Sequence, residues 1–141
     1  MRIAIAAALA AVLLSSCGGM QKKEPPPKPF LGTKWVVQLE LPIVGEPTWF
    51  RFGDGRMEGF GGCNRIGAKI IQDTVGARAI VIGRLDRGTR ACSPGTQAAE
   101  ANMLEVLQAV SSYTITVDAM VMSGSGGSLK FRSDPPAETP Q

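Results

Sequence analysis

Apolar and polar positions alternate with a period of two over several short stretches, the pattern of half-buried strands. Across residues 33–41, Trp35, Val37, Leu39 and Leu41 fall on one face. Pro42 to Pro47 encloses Gly45 and breaks the run into a loop. Residues 48–52 place Phe50 and Phe52 on one side, and Gly53-Asp54-Gly55 follows as a turn signal. Residues 56–60 complete a hairpin, after which Gly59, Gly61 and Gly62 admit a bulge or a close backbone approach. Residues 68–72 predict a short strand and 79–85 a clearer one, with Ile80 and Ile82 facing together. Residues 113–117 and 120–123 pair about Asp118-Ala119, residues 123–128 form a flexible turn, and Leu129 and Phe131 lie on a closing strand.

One segment changes period. Ala99, Met103, Val106, Leu107 and Val110 fall on a single helical stripe, with Leu104 beside it. Ser93 is placed to cap this helix, with Pro94 at its first position and Thr96 as a rival cap. Gln97, Glu100 and Glu105 fall outside the stripe, and an early Glu100 suits the helix dipole. The stripe predicts a core-facing helix. Many short strands and one helix define a mainly β (α+β) class: a partly open antiparallel β-barrel or curved sheet with one packed helix.

The two ends read differently from the middle. Residues 3–14 form an uncharged apolar run behind Arg2, too short for a standard membrane span of about 20 residues. It exits through Leu14-Ser15-Ser16-Cys17, which resembles the bacterial lipobox. That resemblance implies diacylglycerol on the Cys17 thiol, cleavage before it, and N-acylation. Gly18, rather than Asp, then resembles the outer-membrane sorting pattern of Gram-negative cells. Residues 17–29 carry Pro25-Pro26-Pro27-Lys28-Pro29, which favours extended polyproline geometry and reads as a spacer. Residues 133–141 hold three Pro and little that is apolar, so they read as a disordered tail. The expected organisation is a leader over 1–16, a lipidated spacer over 17–29, a folded domain over 30–132, and the tail.

Composition narrows the function classes. There is no His, which removes the commonest general base and metal ligand. The formal charge is +3, and basic residues alternate with acids, as in Arg84-Leu85-Asp86-Arg87. No basic stripe or aromatic platform stands out along the chain, which argues against a nucleic-acid partner. Asp54, Glu58 and Asp73 flank turns or strand surfaces and read as solvated acids. The glycines of residues 123–128 lack the following Lys-Ser or Lys-Thr of a phosphate loop. The expectation is no catalytic residue, no metal and no cofactor.

Four stretches carry a family resemblance. Gly59-Phe60-Gly61-Gly62-Cys63-Asn64-Arg65 resembles the Gly-x-x-Gly-Cys-Asn-Arg signature of the META domain, the family of the HslJ heat-inducible protein. Leu31-Gly32-Thr33-Lys34-Trp35 resembles its opening, Ala91-Cys92 with the helix after it its Ala-Cys segment, and residues 113–131 its closing hairpin. Two features depart from it. Arg87-Gly88-Thr89-Arg90 occupies the place of a Thr-Thr-x-Met run, and Ile66 and Ile70 stand where aromatics are common. The resemblance implies a partly open antiparallel barrel with one helix, similar to pilot lipoproteins of secretion systems. It also implies roles in stress response and sensitivity to hydrophobic antibiotics.

Assigning Cys17 to lipid leaves Cys63 and Cys92. In an oxidising compartment a disulfide is the default, and closing this loop contributes roughly 3.5 kcal/mol in the chain-entropy account. Free buried thiols and redox or metal use are the alternatives. Gly62, Cys63 and Asn64 read as a structural turn, with Asn64 in left-handed geometry and bonded to local backbone. Function then divides three ways. The first reading is a non-enzymatic binding module of the cell envelope, on the outer membrane facing the periplasm. Its partners would be the membrane through the lipid, and an envelope protein or an apolar or lipid ligand. The others are an envelope enzyme using carboxylate or thiol chemistry, and a purely structural spacer or scaffold.

Overall fold

The structure is a computed structural model that describes residues 19, 22–40, 45–73 and 78–136. Cys17, Leu41 and the leader lie outside the described residues. Nine strands and one helix follow in chain order: β1 Lys34–Val37, β2 Trp49–Phe52, β3 Arg56–Phe60, β4 Arg65–Gln72, β5 Ile80–Ile82, β6 Asp86–Arg87, α1 Pro94–Gln108, β7 Val110–Thr116, β8 Ala119–Gly124 and β9 Gly127–Asp134. The strands form one antiparallel sheet in the order β5-β4-β3-β2-β1-β9-β8-β7, with β6 paired to β4. The two edge strands meet: Ala79 bridges Ser112, and Tyr113 N donates to Arg78 O at 3.1 Å. The result is a nearly closed barrel of eight strands with a single helix among the described residues.

Alternation explains which side each strand buries. Trp35, Phe50, Phe52, Met57, Ile66, Ala68, Ile70, Met120, Met122 and Phe131 point inward and are buried. Met103, Leu104 and Leu107 of α1 enter the same core. The helix begins as its capping residues dictate: the Ser93 side chain accepts from Thr96 N at 3.3 Å and Pro94 opens the first turn. Ala99 is exposed and Val110 belongs to β7, so the buried stripe is Glu100, Met103, Leu104 and Leu107. Glu100 therefore lies on the buried stripe, not outside it.

Several boundaries move. β1 ends at Val37, although Gln38 N still donates to its register partner Lys130 O on β9, and Leu39 beyond it is exposed. β4 starts at Arg65, three residues before the alternation alone suggested, because β3 pairs with it directly from Phe60. β5 is shorter than its apolar pattern, ending at Ile82, and β6 carries no apolar residue that could have announced it. The glycine-rich stretch at 123–128 is a tight hairpin, with Ser123 opposite Ser128 and Gly124 opposite Gly127. Gly124 packs against Ala109 O so closely that a Cβ has no room. The tail starts later than expected: Ser133 is buried and Asp134 pairs with Lys34. The spacer also docks at its end, where Lys28 N donates to Val117 O at 2.6 Å.

The barrel has two distinct ends. The register places Lys34, the turn at 53–55, the turn at Val117-Asp118 and Asp134 at one end. Phe30 covers that end, stacked at 4.5 Å on Phe52 and 4.2 Å on Tyr113, while its carbonyl accepts from Trp35 Nε1. The other end holds residues 61–64, the hairpin at 124–127, and α1.

Candidate functional site

The signature stretch 59–65 spans the end of β3, a short loop and the start of β4. Each glycine in it answers a different demand. A Cβ on Gly59 would collide with Trp49 O and the Phe50 ring across the sheet. A Cβ on Gly61 would sit 2.6 Å from Glu100 Oε2. Gly62 has φ +109°, which L side chains rarely adopt. Together they bend the loop so that two consecutive backbone N–H groups point at the helix.

Those N–H groups meet the carboxylate of Glu100. Oε2 accepts from Cys63 N at 2.8 Å and from Asn64 N at 2.7 Å. Oε1 accepts from Asn64 Nδ2 at 3.0 Å, with Arg87 Nη1 at 4.0 Å. Glu100 is 2% exposed, and a buried carboxylate is tolerable only when its charge is met by such donors. It lies beyond the first helical turn, so backbone donors of the loop, not the helix dipole, balance it. Asn64 closes the turn through its backbone, as Gly61 N donates to Asn64 O at 2.9 Å, but it is not in left-handed geometry. Its side chain spans three elements, as Oδ1 also accepts from Arg90 N at 2.7 Å. Gly88 makes room for this contact, since a Cβ there would lie 3.1 Å from Asn64 Oδ1.

Cys63 and Cys92 are joined by a disulfide with Cα atoms 6.0 Å apart. It pins the loop to the segment just before α1, beside the Asn64–Arg90 bond. The structure thus brings together Gly62, Cys63, Asn64 and Cys92, with Glu100 at their centre. The two sequence departures fit this arrangement. Arg90 contributes its backbone N–H and leaves its side chain exposed, so the position is indifferent to side-chain polarity. Ile66 and Ile70 are buried core residues. The carboxylate is fully engaged with N–H donors, so this constellation holds loop, strand and helix together and offers no free base.

A second feature lies on the outer face of the same strands. An open groove of about 480 Å³ is lined by Arg56, Glu58, Arg65, Asp86 and Arg87, with Gly59 and Gly67. Beside it, Trp49 carries three cations over its ring: Lys34 at 5.5 Å, Arg65 at 5.7 Å and Arg51 at 5.8 Å. Trp49 Nε1 donates to Glu46 Oε1 at 2.9 Å. The sheet thus assembles a basic face with an aromatic at its centre, which the linear order of charges conceals. The signal was present in the polar half of the alternation, where Arg51, Arg56, Arg65 and Lys69 recur on the outward positions. Asp54 and Glu58 are exposed, as is Asp73. Among the described residues, no group of three or more His, Cys, Asp or Glu is placed to hold a metal ion, and no helix is long and apolar enough to cross a membrane.

These features define a class: a small antiparallel barrel capped by one helix, whose Gly-Gly-Cys-Asn loop is locked to a buried helix carboxylate. The META domain model matches residues 29–135, and the chain belongs to the META domain family. A solution NMR structure of a protein from Burkholderia xenovorans is similar, with TM-score 0.61 and 18% identity over 93% of this chain and 98% of that one. A crystal structure of a DUF4847 family protein from Bacteroides vulgatus is similar at TM-score 0.55 and 14% identity, over 79% of this chain and 96% of that one. Both likenesses concern the fold. No curated protein matches the chain.

Proposed function

We infer that this META-domain chain is a non-enzymatic envelope lipoprotein, exported, acylated on Cys17 and held at the outer membrane facing the periplasm, where it serves as a binding module. The observation that carries the non-enzymatic part is the use made of the signature residues. Gly61, Gly62, Cys63, Asn64 and Glu100 are engaged with one another inside the fold, so the recognisable residues stabilise the domain and leave binding to its outer surface. The lipobox-like Leu14-Ser15-Ser16-Cys17 and the spacer after it support the anchoring. A Cys63–Cys92 disulfide suits an oxidising compartment.

The test is crosslinking in cells from photoreactive residues on the outer face, followed by mass spectrometry of proteins and lipids. A defined envelope protein or lipid adduct, lost together with membrane association in Cys17→Ser, is the expected result. Recovery of the wild-type chain in the soluble cytoplasmic fraction, without an acyl mass increment, would contradict the reading.

A further inference from the structure

The outward positions of β1 to β4 carry a charge excess greater than that of the whole chain. Their charged residues are Lys34, Arg51, Arg56, Glu58, Arg65 and Lys69, five cations and one carboxylate, or +4. The complete chain is +3, so everything else sums to −1. Asp134 pairs with Lys34 at 3.0 Å and Asp86 lines the groove beside Arg87, so the excess of this basic side is carried by Arg51, Arg56, Arg65 and Lys69.

The arrangement on that side is specific. Arg56 and Lys69 stand directly opposite each other across β3 and β4, a like-charge pair that disfavours the sheet unless an anion lies above it. Arg56 lies over Gly67, 3.5 Å from where a Cβ would be, so the groove floor stays low. Trp49 sits among Lys34, Arg51 and Arg65. Cations around an amphipathic indole match the headgroup layer of a bilayer surface.

We propose that this face of the barrel lies against an anionic phospholipid surface, with headgroup phosphates over Arg56, Arg65 and Lys69 and with Trp49 at headgroup depth. Charge complementarity selects the occupant. The inference rests on membrane attachment, as read above, and adds how the domain sits once attached. The acyl chains on Cys17 hold the chain at the bilayer, and the basic surface sets how the domain lies on it.

Trp35 is buried in the core and Trp49 lies on the face, so fluorescence quenching by brominated lipid separates them. The full chain is reconstituted into neutral phosphatidylcholine vesicles and into vesicles containing phosphatidylglycerol, with the attached fraction measured by sedimentation. Trp49→Phe assigns the signal. The expected result is about two-fold or more stronger Trp49 quenching in anionic than in neutral vesicles, lost near 0.5 M salt, where the screening length falls to roughly 4 Å. Arg56→Glu combined with Lys69→Glu removes the increase, since each basic residue near an anionic surface is worth roughly five-fold in docking. Circular dichroism checks that this variant keeps its fold.

Sedimentation with both vesicle types but equal quenching in each overturns the docked face and leaves tethering intact. Sedimentation with anionic vesicles alone supports the face and overturns the tether. Sedimentation with neither overturns both. Loss of quenching in low-millimolar inorganic phosphate at constant ionic strength makes the groove a soluble-anion site, and it overturns the membrane assignment.

Discussion

Asn64 and Glu100 meet twice: the backbone N–H of Asn64 bonds one oxygen of the carboxylate and its side-chain amide bonds the other. The pair joins the start of β4 to the middle of α1 across 36 residues of sequence. Glu100→Ala strands these donors in a buried site, and the cost expected is about 2–5 kcal/mol. Glu100→Gln keeps one acceptor and falls between. Chemical denaturation of both variants, with Asn64→Ala and the double variant, measures the coupling. Additive effects would show that the two residues do not form a unit.

Gly61→Ala tests the same clamp from the opposite side. Its Cβ would lie 2.6 Å from Glu100 Oε2 and would have to displace the carboxylate. The expected destabilisation is about 2–4 kcal/mol. It is expected to shrink to about 1 kcal/mol or less when measured in a Glu100→Ala background, where the obstacle is gone. Equal losses in the two backgrounds would point to backbone strain as the cause.

The disulfide closes a sequence separation of 29 residues. In the chain-entropy account its removal costs roughly 3.5 kcal/mol, so reductant should lower the denaturant midpoint markedly and raise the slope, because the reduced unfolded chain is less compact. Intact-mass analysis after alkylation should show Cys63 and Cys92 protected without reductant and labelled with it. Labelling of both without reductant would remove the disulfide from the account.

Leu107 is fully buried at the C-terminal end of the buried helix stripe. Leu107→Ala should cost about 2–5 kcal/mol, with the spread set by how far Met103, Met120 and Met122 relax into the space. Val106, which lies at the edge of the core, should cost less when changed to Ala.

Much of the barrel was legible because alternation and burial coincide on β1, β2, β3 and β9. Phe50, Phe52 and Phe131 fall inside as their spacing predicts. What stayed hidden depends on partners distant in sequence. Glu100 stands at the stripe spacing with Met103, Leu104 and Leu107, but charge alone suggests solvent unless the donors at 63 and 64 are known. The basic face needed the register of four strands to gather residues from 34 to 69. β6 is two charged residues whose only strand signal is the neighbour they pair with.

The bond between Lys28 and Val117 fixes where the leash is tied. If Cys17 is acylated as proposed, an extended polyproline path from Cys17 to Lys28 would span roughly 34 Å. Because the knot lies at the barrel end opposite α1, the helix and the disulfide loop point outward from the tie. On such a tether the reach of the domain is capped, and the basic face decides how it lies within that reach. Cutting Pro25-Pro26-Pro27 out would shorten the reach by about 9 Å.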